Sequence, residues 1–318
     1  METIDVVVVN KTVEAERVAA FELARADRAA LPPFTAGAHI DVHLPGQLVR
    51  QYSLCGSTQD LSRYTIAVLR EPGSRGGSEA IHAAVREGDV LRIGAPRNHF
   101  PLQPAPYYVL LAGGIGITPM ICMADELARQ GARFELHYCS RSPQLAAFRG
   151  RLAAAPYAGH VHCHYDDGAP QQRLDLARVF GDAGMDSHVY VCGPGGFINH
   201  VEGGAALAGL AAQQVHREYF SAAPLDTTGD KAFEITLARS GRRLPVPAGR
   251  SVLEVLLAHG VDIPVSCEQG VCGTCVTRVL EGIPHHRDMY FTDQEHASNQ
   301  QFTPCCSRSK TPSLVLDL

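Results

Sequence analysis

Ten residues near the carboxyl end, SCEQGVCGTC (Ser266–Cys275), constrain this chain more than any other stretch. Cys267, Cys272 and Cys275 follow a C-x4-C-x2-C spacing, and two further cysteines stand side by side about thirty residues later, in TPCCSR. Gly270 and Gly273 permit the backbone angles that turn main-chain N–H groups towards sulfur. This is the plant-type spacing for a [2Fe-2S] cluster. A structural zinc site is the rival, but such sites usually present two C-x2-C pairs, and only Cys272 and Cys275 form one. Part of the chain must therefore fold around thiolate-bound metal.

At 318 residues there is room for two or three domains of about 100–200 residues each. No run of about 18 apolar residues appears, which argues against a membrane span. The amino-terminal METIDVVVVNKTVEAE carries early acidic residues and no basic segment ahead of an apolar core, so it reads as a strand and not as a signal peptide. A formal net charge of −5, with no basic run, predicts no nucleic-acid partner. Ten cysteines in a long chain without an export signal predict a cytoplasmic protein that keeps thiols for metal chemistry.

Three stretches of different grammar follow one another. Over 1–103 the chain reads as short strands: HIDVHL alternates apolar Ile40, Val42 and Leu44 with polar His39, Asp41 and His43, as a half-buried strand does. YTIAVLR and DVLRIGA add strands, and a short helix is expected over EAIHAAVRE, capped by Ser78 and ended by Gly88. Short strands with Gly and Pro turns predict a small antiparallel β-barrel. Over 104–222 strands and helices alternate. YYVLLAGG is a continuous apolar strand, Thr118 and Pro119 start a helix that runs to Gly131, and RFELHYC, HVHCHY and HVYVCG follow, separated by helical stretches such as PQLAAFRGRLAAA. That pattern predicts a doubly wound α/β parallel sheet with its ligand at the carboxyl ends of the strands. SAAPLDTTGDK (Ser221–Lys231) reads as a linker. The last segment, 223–318, opens with a hairpin in FEITLARSGRRLPVPAG and a capped helix in SVLEVLLAHG, ahead of the cysteine loop.

AGGIGITPM (Ala112–Met120) lies between a buried strand and a helix start, where glycines let a pyrophosphate approach the backbone and the helix N-terminus attracts its charge. It departs from G-x-G-x-x-G, with Gly113, Gly114 and Gly116 followed by Thr118 and Pro119, and alone it reads equally as a tight turn. VYVCGPGGF (Val189–Phe197) is a second glycine-rich strand end, and the two together predict a dinucleotide cleft. RQYSL (Arg50–Leu54) and REPGSRGGS (Arg70–Ser78) supply an arginine and a GGS turn ahead of a helix, a pattern that suits phosphate or simply a solvated turn.

Taken together, R-x-Y-S, G-G-S, G-G-I-G-I-T-P, C-G-P, HREYF and the carboxyl-terminal cluster spacing resemble the phthalate dioxygenase reductase family over the whole chain. The resemblance implies a flavin barrel, a nicotinamide domain and a β-grasp ferredoxin domain, in that order. It implies FMN held by Arg50, Gln51, Tyr52, Ser53, Ala67, Val68, Leu69, Gly76, Gly77, Ser78, Thr118 and Phe220, with Ser53 near the reactive N5 and Phe220 stacked on the ring. It implies NADH held by Gly113, Gly114, Gly116, Ser140, Arg141, Cys192, Gly193 and Pro194, with Ser53, Cys192 and Glu218 as the catalytic group. The residues themselves leave the coenzyme open, since no acidic residue follows RFELHYCS for a ribose hydroxyl and Arg141 suits a 2′-phosphate. Phe220 also reads as a core aromatic at a strand end.

The expected activity is NADH-dependent electron transfer through FMN and a [2Fe-2S] cluster to a Rieske-type terminal oxygenase, by a monomer. The alternatives are a generic NAD(P)H:acceptor reductase and a non-catalytic redox carrier or sensor. His160, His162 and His164 give one polar face of a strand, His285 and His286 read as surface histidines, and Cys55, Cys122, Cys139 and Cys163 as small buried hydrophobes. Cys305 is preferred over Cys306 as fourth ligand. It follows Cys275 after 29 intervening residues (305 − 275 − 1) and resembles the family ligand that precedes one variable residue and Ser-Arg. In an extended segment the two neighbours would point to opposite faces.

Overall fold

A computed structural model describes residues 3–44, 48–71, 76–222 and 225–318. Pro72–Arg75 of the REPGSRGGS turn, and Ala223, the expected first residue of the third segment, lie outside the described residues. The chain divides into two compact units, Met1–Phe220 and Ser221–Leu318.

The first unit begins with strands β1 (Thr3–Ala15), β2 (Val18–Ala24), β3 (His39–Leu44), β4 (Leu48–Ser53) and β5 (Tyr64–Leu69), then helix α1 (Gly77–Ala84) and β6 (Val90–Gly94). They form an antiparallel sheet in the order β4-β3-β6-β1-β2-β5. A bridge from Leu54, just past β4, to Ile66 on β5 brings the two ends of that order together, as a barrel requires. Phe21, Leu23, Ile40, Val42, Ile66 and Ile93 fill its core. The expected half-buried β3 is buried on both faces, His39 and Asp41 included. Asp41 is tolerated there because Arg97 pairs with it at 2.7 Å. Ser78 is not the cap of α1. The helix starts two residues earlier behind Gly76, whose φ of 84° needs a glycine, and it ends at Ala84, short of Gly88.

A parallel sheet follows: β7 (Tyr108–Gly113), α2 (Ile117–Arg129), β8 (Phe134–Ser140), α3 (Arg149–Ala154), β9 (Val161–Tyr165), α4 (Leu176–Ala183), β10 (His188–Cys192), α5 (Gly195–Leu207) and β11 (Val215–Glu218). Its order is β11-β10-β7-β8-β9. Winding thus runs one way from β7 to β9 and the other way from β10 to β11, so the switch point lies between β7 and β10. Thr118 sits inside the first turn of α2 and does not cap it; its hydroxyl donates back to the Ile115 carbonyl at 3.0 Å. PQLAAFRGRLAAA is broken at Phe148, whose φ of 60° separates a single turn at Pro143–Leu145 from α3.

The second unit contains β12 (Phe233–Leu237), β13 (Arg243–Val246), α6 (Val252–Ala258), β14 (Thr277–Glu281), β15 (Pro284–His285), α7 (Asp293–Ser298), β16 (Gln301–Phe302), β17 (Arg308–Ser309) and β18 (Ser313–Leu316). The five-stranded sheet β13-β12-β18-β14-β16 is mixed, with β12 parallel to β18. Helix α6 lays Val252, Val255 and Leu256 on its core, and Ser251 caps it, accepting from Glu254 N at 3.1 Å. Among the described residues, no helix is long and apolar enough to cross a membrane.

Candidate redox site

Three glycines let the switch-point loops touch backbone to backbone. A Cβ added to Gly116 would lie 2.1 Å from the Cys192 carbonyl oxygen, and one on Gly193 would lie 3.0 Å from Gly113 Cα. Gly113 has the Phe197 ring against its own missing side chain. Gly114 is different: its φ is 56° and nothing lies where its side chain would be. Helices α2 and α5 both start beside these loops with no side-chain cap, α5 directly behind Pro194. The Ile117 N–H that opens α2 already donates to the Gly114 carbonyl, so it is the first turn of α5 that offers N–H groups to a ligand at the cleft.

Beside the cleft three expected residues converge. Cys192 ends β10 in register with Glu218 on β11, and Ser53, at the end of β4, donates to Glu218 Oε2 at 3.5 Å. Burial pushes the Glu218 carboxyl up to about 8, opposed by the Ser53 hydrogen bond. Burial, and then the Glu218 charge, push the Cys192 thiol well above its ordinary value. Phe220, two residues past Glu218, is 39% exposed, which removes it from the core. Thr118, by contrast, is buried, with its hydroxyl turned to the Ile115 carbonyl.

Gln51 and Tyr52 lie between Arg50 and Ser53 on β4, both half-buried, and burial pushes the Tyr52 phenol up to about 12. The Arg50 side chain passes so close to Gly77 that an added Cβ would come within 2.7 Å of its Nε. A guanidinium thus lies across the N-terminal turn of α1, where two attractions for phosphate coincide. Ala67 and Val68 on β5 are buried and Leu69 is half-buried. Ser78 uses its hydroxyl locally, accepting from Glu71 N at 3.2 Å.

One pair escaped the sequence reading. Ser140 ends β8 buried, donating to the Ser142 carbonyl at 3.1 Å, and Arg141 is exposed. The next strand, β9, runs into Asp166 and Asp167, whose N–H groups donate to the Ser140 and Arg141 carbonyls, each at 3.1 Å. Burial and then the Asp166 charge push the Cys139 thiol up to about 12. Two acidic residues thus reach this sheet edge from the neighbouring strand, where none follows RFELHYCS in the sequence. The signal was in HVHCHYDD, which had drawn attention for its histidines. His162 is exposed and His164 pairs with His137 on β8, Nε2 to Nδ1 at 3.0 Å, while His160 lies off the strand. Cys55 and Cys122 are buried as expected, whereas Cys139 and Cys163 are half-buried.

In the second unit the cysteine loop turns at Gly270 and Gly273, φ 74° and 69°. Gln269 N donates to Cys267 Sγ at 3.3 Å and Thr274 N to Cys272 Sγ at 3.5 Å. The Cys267 and Cys272 thiols hydrogen-bond to each other, which holds the Cys272 thiol below its ordinary value, and Cys305 is hydrogen-bonded to Cys275 and to Cys306. Two thiol pairs with main-chain donors aimed at sulfur fit a four-thiolate cluster. Pro304, Cys305 and Cys306 form a turn, not an extended segment, and the Cys305 and Cys306 thiols touch. Strand alternation therefore does not separate them. Their partners do: Cys306 Sγ lies 3.1 Å from Thr303 Oγ1 and packs under Gly270. His285 and His286, expected at the surface, are half-buried, because the β15 hairpin with β17 folds them inward.

Known proteins resolve what kind of machine this is. Residues 235–310 match the 2Fe-2S iron-sulfur cluster binding domain. Vanillate O-demethylase oxidoreductase of Pseudomonas putida is 53% identical over 99% of this chain and 100% of its own length. Phthalate dioxygenase reductase of Burkholderia cepacia is 41% identical over 94% of this chain and 92% of its own. The chain belongs to the phthalate dioxygenase reductase family. A solved phthalate dioxygenase reductase, described as a modular structure for electron transfer from pyridine nucleotides to [2Fe-2S], superposes with a TM-score of 0.76 at 39% identity, covering 99% of this chain and 98% of that one. As a member of this family the chain is an oxidoreductase. It is the reductase component of an oxygenase system, moving electrons from a pyridine nucleotide through flavin and a [2Fe-2S] cluster. The three expected layers are the antiparallel flavin-binding sheet, the parallel nucleotide-binding sheet and the cluster domain.

Proposed function

We propose that this reductase uses NADH and FMN and delivers electrons to a Rieske-type oxygenase that demethylates or hydroxylates an aromatic acid. The flavin, when bound, converts a two-electron donor into single-electron steps. The chain's own residues do the rest. Arg50 and the N-terminus of α1 hold the FMN phosphate, Ser53 and Tyr52 line the ring, and Phe220 covers it until nucleotide arrives. Ser140, Arg141, Gly113, Gly114, Gly116, Gly193 and Pro194 seat the coenzyme across the switch point, with Cys192 and Glu218 at the nicotinamide end. Cys267, Cys272, Cys275 and Cys305 hold the cluster. The domains divide near residues 103 and 222, and the protein works as a monomer in the cytoplasm.

The observation that carries this reading is the convergence of Ser53, Cys192 and Glu218 beside the uncapped start of α5. NADH added without oxygen should bleach first the flavin and then the cluster. A chain ending at residue 222 should still oxidise NADH with a small acceptor and fail to reduce the oxygenase. Normal oxygenase turnover by that shortened chain would overturn the route. FAD in the denatured supernatant would overturn FMN. Preference for NADH follows from Asp166 beside Ser140, since a like charge about 4 Å from a 2′-phosphate costs about 1–4 kcal/mol. Asp166→Ser should raise the NADPH to NADH ratio of kcat/KM about tenfold; wild-type preference for NADPH would refute the assignment.

A further inference from the structure

Ser53 and Glu218 reach the cleft from different layers of the first unit, Ser53 on the antiparallel sheet and Glu218 on the parallel one. Their hydrogen bond, at 3.5 Å, lies at the limit of the interaction and is too weak to keep two layers in register. A stronger tie stands two residues further along the chain. Arg151, on α3, donates from Nη1 to the Cys55 carbonyl at 2.7 Å and from Nη2 to Asp125 Oδ2 at 2.6 Å. Asp125 belongs to α2, and its other oxygen accepts from the Tyr157 hydroxyl. One guanidinium thus clamps the barrel main chain to two helices of the nucleotide sheet.

Both ends of the clamp are themselves held. Leu54 N donates to the Ala38 carbonyl at 2.8 Å and Cys55 N to the Thr65 carbonyl at 2.9 Å, which ties the strip past β4 to the barrel. Thr58 Oγ1 donates to Glu126 Oε2 on α2 at 3.1 Å, a second tie across the same seam. At the other end the guanidinium carbon lies 5.9 Å from the Phe148 ring centroid. Phe148 is buried and takes the left-handed turn ahead of α3, so the break in PQLAAFRGRLAAA sets where Arg151 projects. Arg151, Asp125 and Cys55 have no part in holding flavin, nucleotide or cluster in the function proposed above.

Resting on the assignment of Ser53, Cys192 and Glu218 to the nicotinamide end of the cleft, we propose that Arg151, held by Asp125, is a positioning residue for hydride transfer. It fixes the end of β4, and Ser53 with it, at a set distance from Cys192 and Glu218 on the parallel sheet. Hydride transfer carries one proton and two electrons together from reduced nicotinamide to oxidised flavin. It needs the reacting atoms about 3–3.5 Å apart, and a slip of about 1 Å costs about a hundredfold in rate. The barrel holds one ring and the parallel sheet the other, so a slip at their seam falls directly on that distance. Arginine suits the task because its planar fork reaches a carbonyl and a carboxylate at once, which the point charge of lysine does not.

The test uses full-length protein with its cofactors in place, mixed without oxygen against saturating NADH in a stopped-flow cell. In Arg151→Met, which keeps an aliphatic stem, the limiting rate of flavin bleaching should fall about tenfold or more. FMN content, iron content and the NADH concentration for half-maximal rate should stay within about twofold of wild type, because only the transition state is misplaced. Hydrogen exchange of the peptide spanning 54–58, read by mass spectrometry with flavin and after its removal, should quicken about tenfold. Arg151→Lys should not restore the rate. Since the anchor acts through Ser53, Arg151→Met combined with Ser53→Ala should lose less than the product of the two single losses. Should Arg151→Met shed FMN, Asp125→Asn, which keeps the shape and removes the charge, decides instead with a loss of about threefold. A wild-type rate in Ser53→Ala would overturn the cleft assignment and this inference with it. Slow bleaching in Ser53→Ala beside a wild-type rate in the deciding variant, unchanged exchange, or multiplicative losses in the double variant would overturn the anchor alone.

Discussion

The two redox sites of this reductase are built in opposite ways. The cluster site is almost wholly local, with three of its four thiols within nine residues of sequence, Cys267 to Cys275. The flavin and nucleotide site as we propose it draws Arg50, Gly77, Gly116, Cys192 and Glu218 from five elements that meet only because a barrel and a doubly wound sheet place them there. Metal–thiolate bonds are strong, directional and few, so a short loop with fixed spacing can supply them. A cofactor held by burial, helix termini and single hydrogen bonds needs many weak contacts, and these can come from anywhere in the fold.

The contrast breaks first at the cluster. Cys305→Ser should remove one of four bonds and abolish the cluster's colour and electron transfer, while Cys306→Ser should keep both. Cys305 is hydrogen-bonded to Cys275, and Cys306 is engaged by Thr303. Visible absorbance and iron content read the outcome. Loss in both variants would show that the touching pair acts as one unit.

Next in size is a change that removes no functional group. Gly116→Ala would drive a methyl to within 2.1 Å of the Cys192 carbonyl oxygen, and main chain cannot rotate away as a side chain can. Overpacking of this kind costs about 1–3 kcal/mol. The damage falls on the cleft, so NADH oxidation should drop at least tenfold while the cluster spectrum is untouched. Retained activity would mean that the loop closure seen here is not needed for nucleotide binding.

Legibility followed the same division. The C-x4-C-x2-C loop, the Ser251 cap and four of the five strands of the parallel sheet were readable, because spacing, capping chemistry and apolar runs are local signals, whereas the short β11 was not. Asp166 and Asp167 were not. Their relation to Ser140 and Arg141 exists only once β8 and β9 pair, and no spacing in the chain encodes that neighbour. The same holds for Asp41, whose burial is offset by Arg97 from 56 residues away, and for His286, folded inward by the β15–β17 pairing. The helix expected through PQLAAFRGRLAAA failed for a different reason. Its alanine-rich composition favours helix, but tertiary packing of Phe148 fixes a left-handed backbone there.

A third effect belongs to the dispersed site alone and is read through pH. Glu218 has an ordinary value of 4.5 and a folded value of about 8, because burial disfavours its charge. Between these values the folded chain keeps a proton that the unfolded chain has released. Stability should therefore fall as pH rises through that window, by at most about 1.4 kcal/mol per unit, and level off above about pH 8. Denaturant titrations of wild type and Glu218→Gln across pH 5 to 8 (about three units) should diverge in slope, the variant being flatter. Parallel slopes would remove the buried carboxyl from this account.

The smallest effect separates two serines that look alike in sequence, each placed ahead of a short helix. Ser251 caps α6 in a reciprocal box with Glu254, its Oγ accepting from Glu254 N at 3.1 Å and the carboxylate accepting from Ser251 N at 2.8 Å. Ser251→Ala should cost about 1 kcal/mol in the unit that carries the cluster. Ser78 caps nothing. Helix α1 starts behind Gly76, and the Ser78 hydroxyl meets an exposed N–H that water can serve as well. Ser78→Ala should therefore leave unfolding within about 0.5 kcal/mol of wild type and show itself only as weaker FMN retention. Equal destabilisation by both variants would mean that the start of α1 is held by side-chain chemistry after all, and the local grammar of the cluster unit would extend to the flavin barrel.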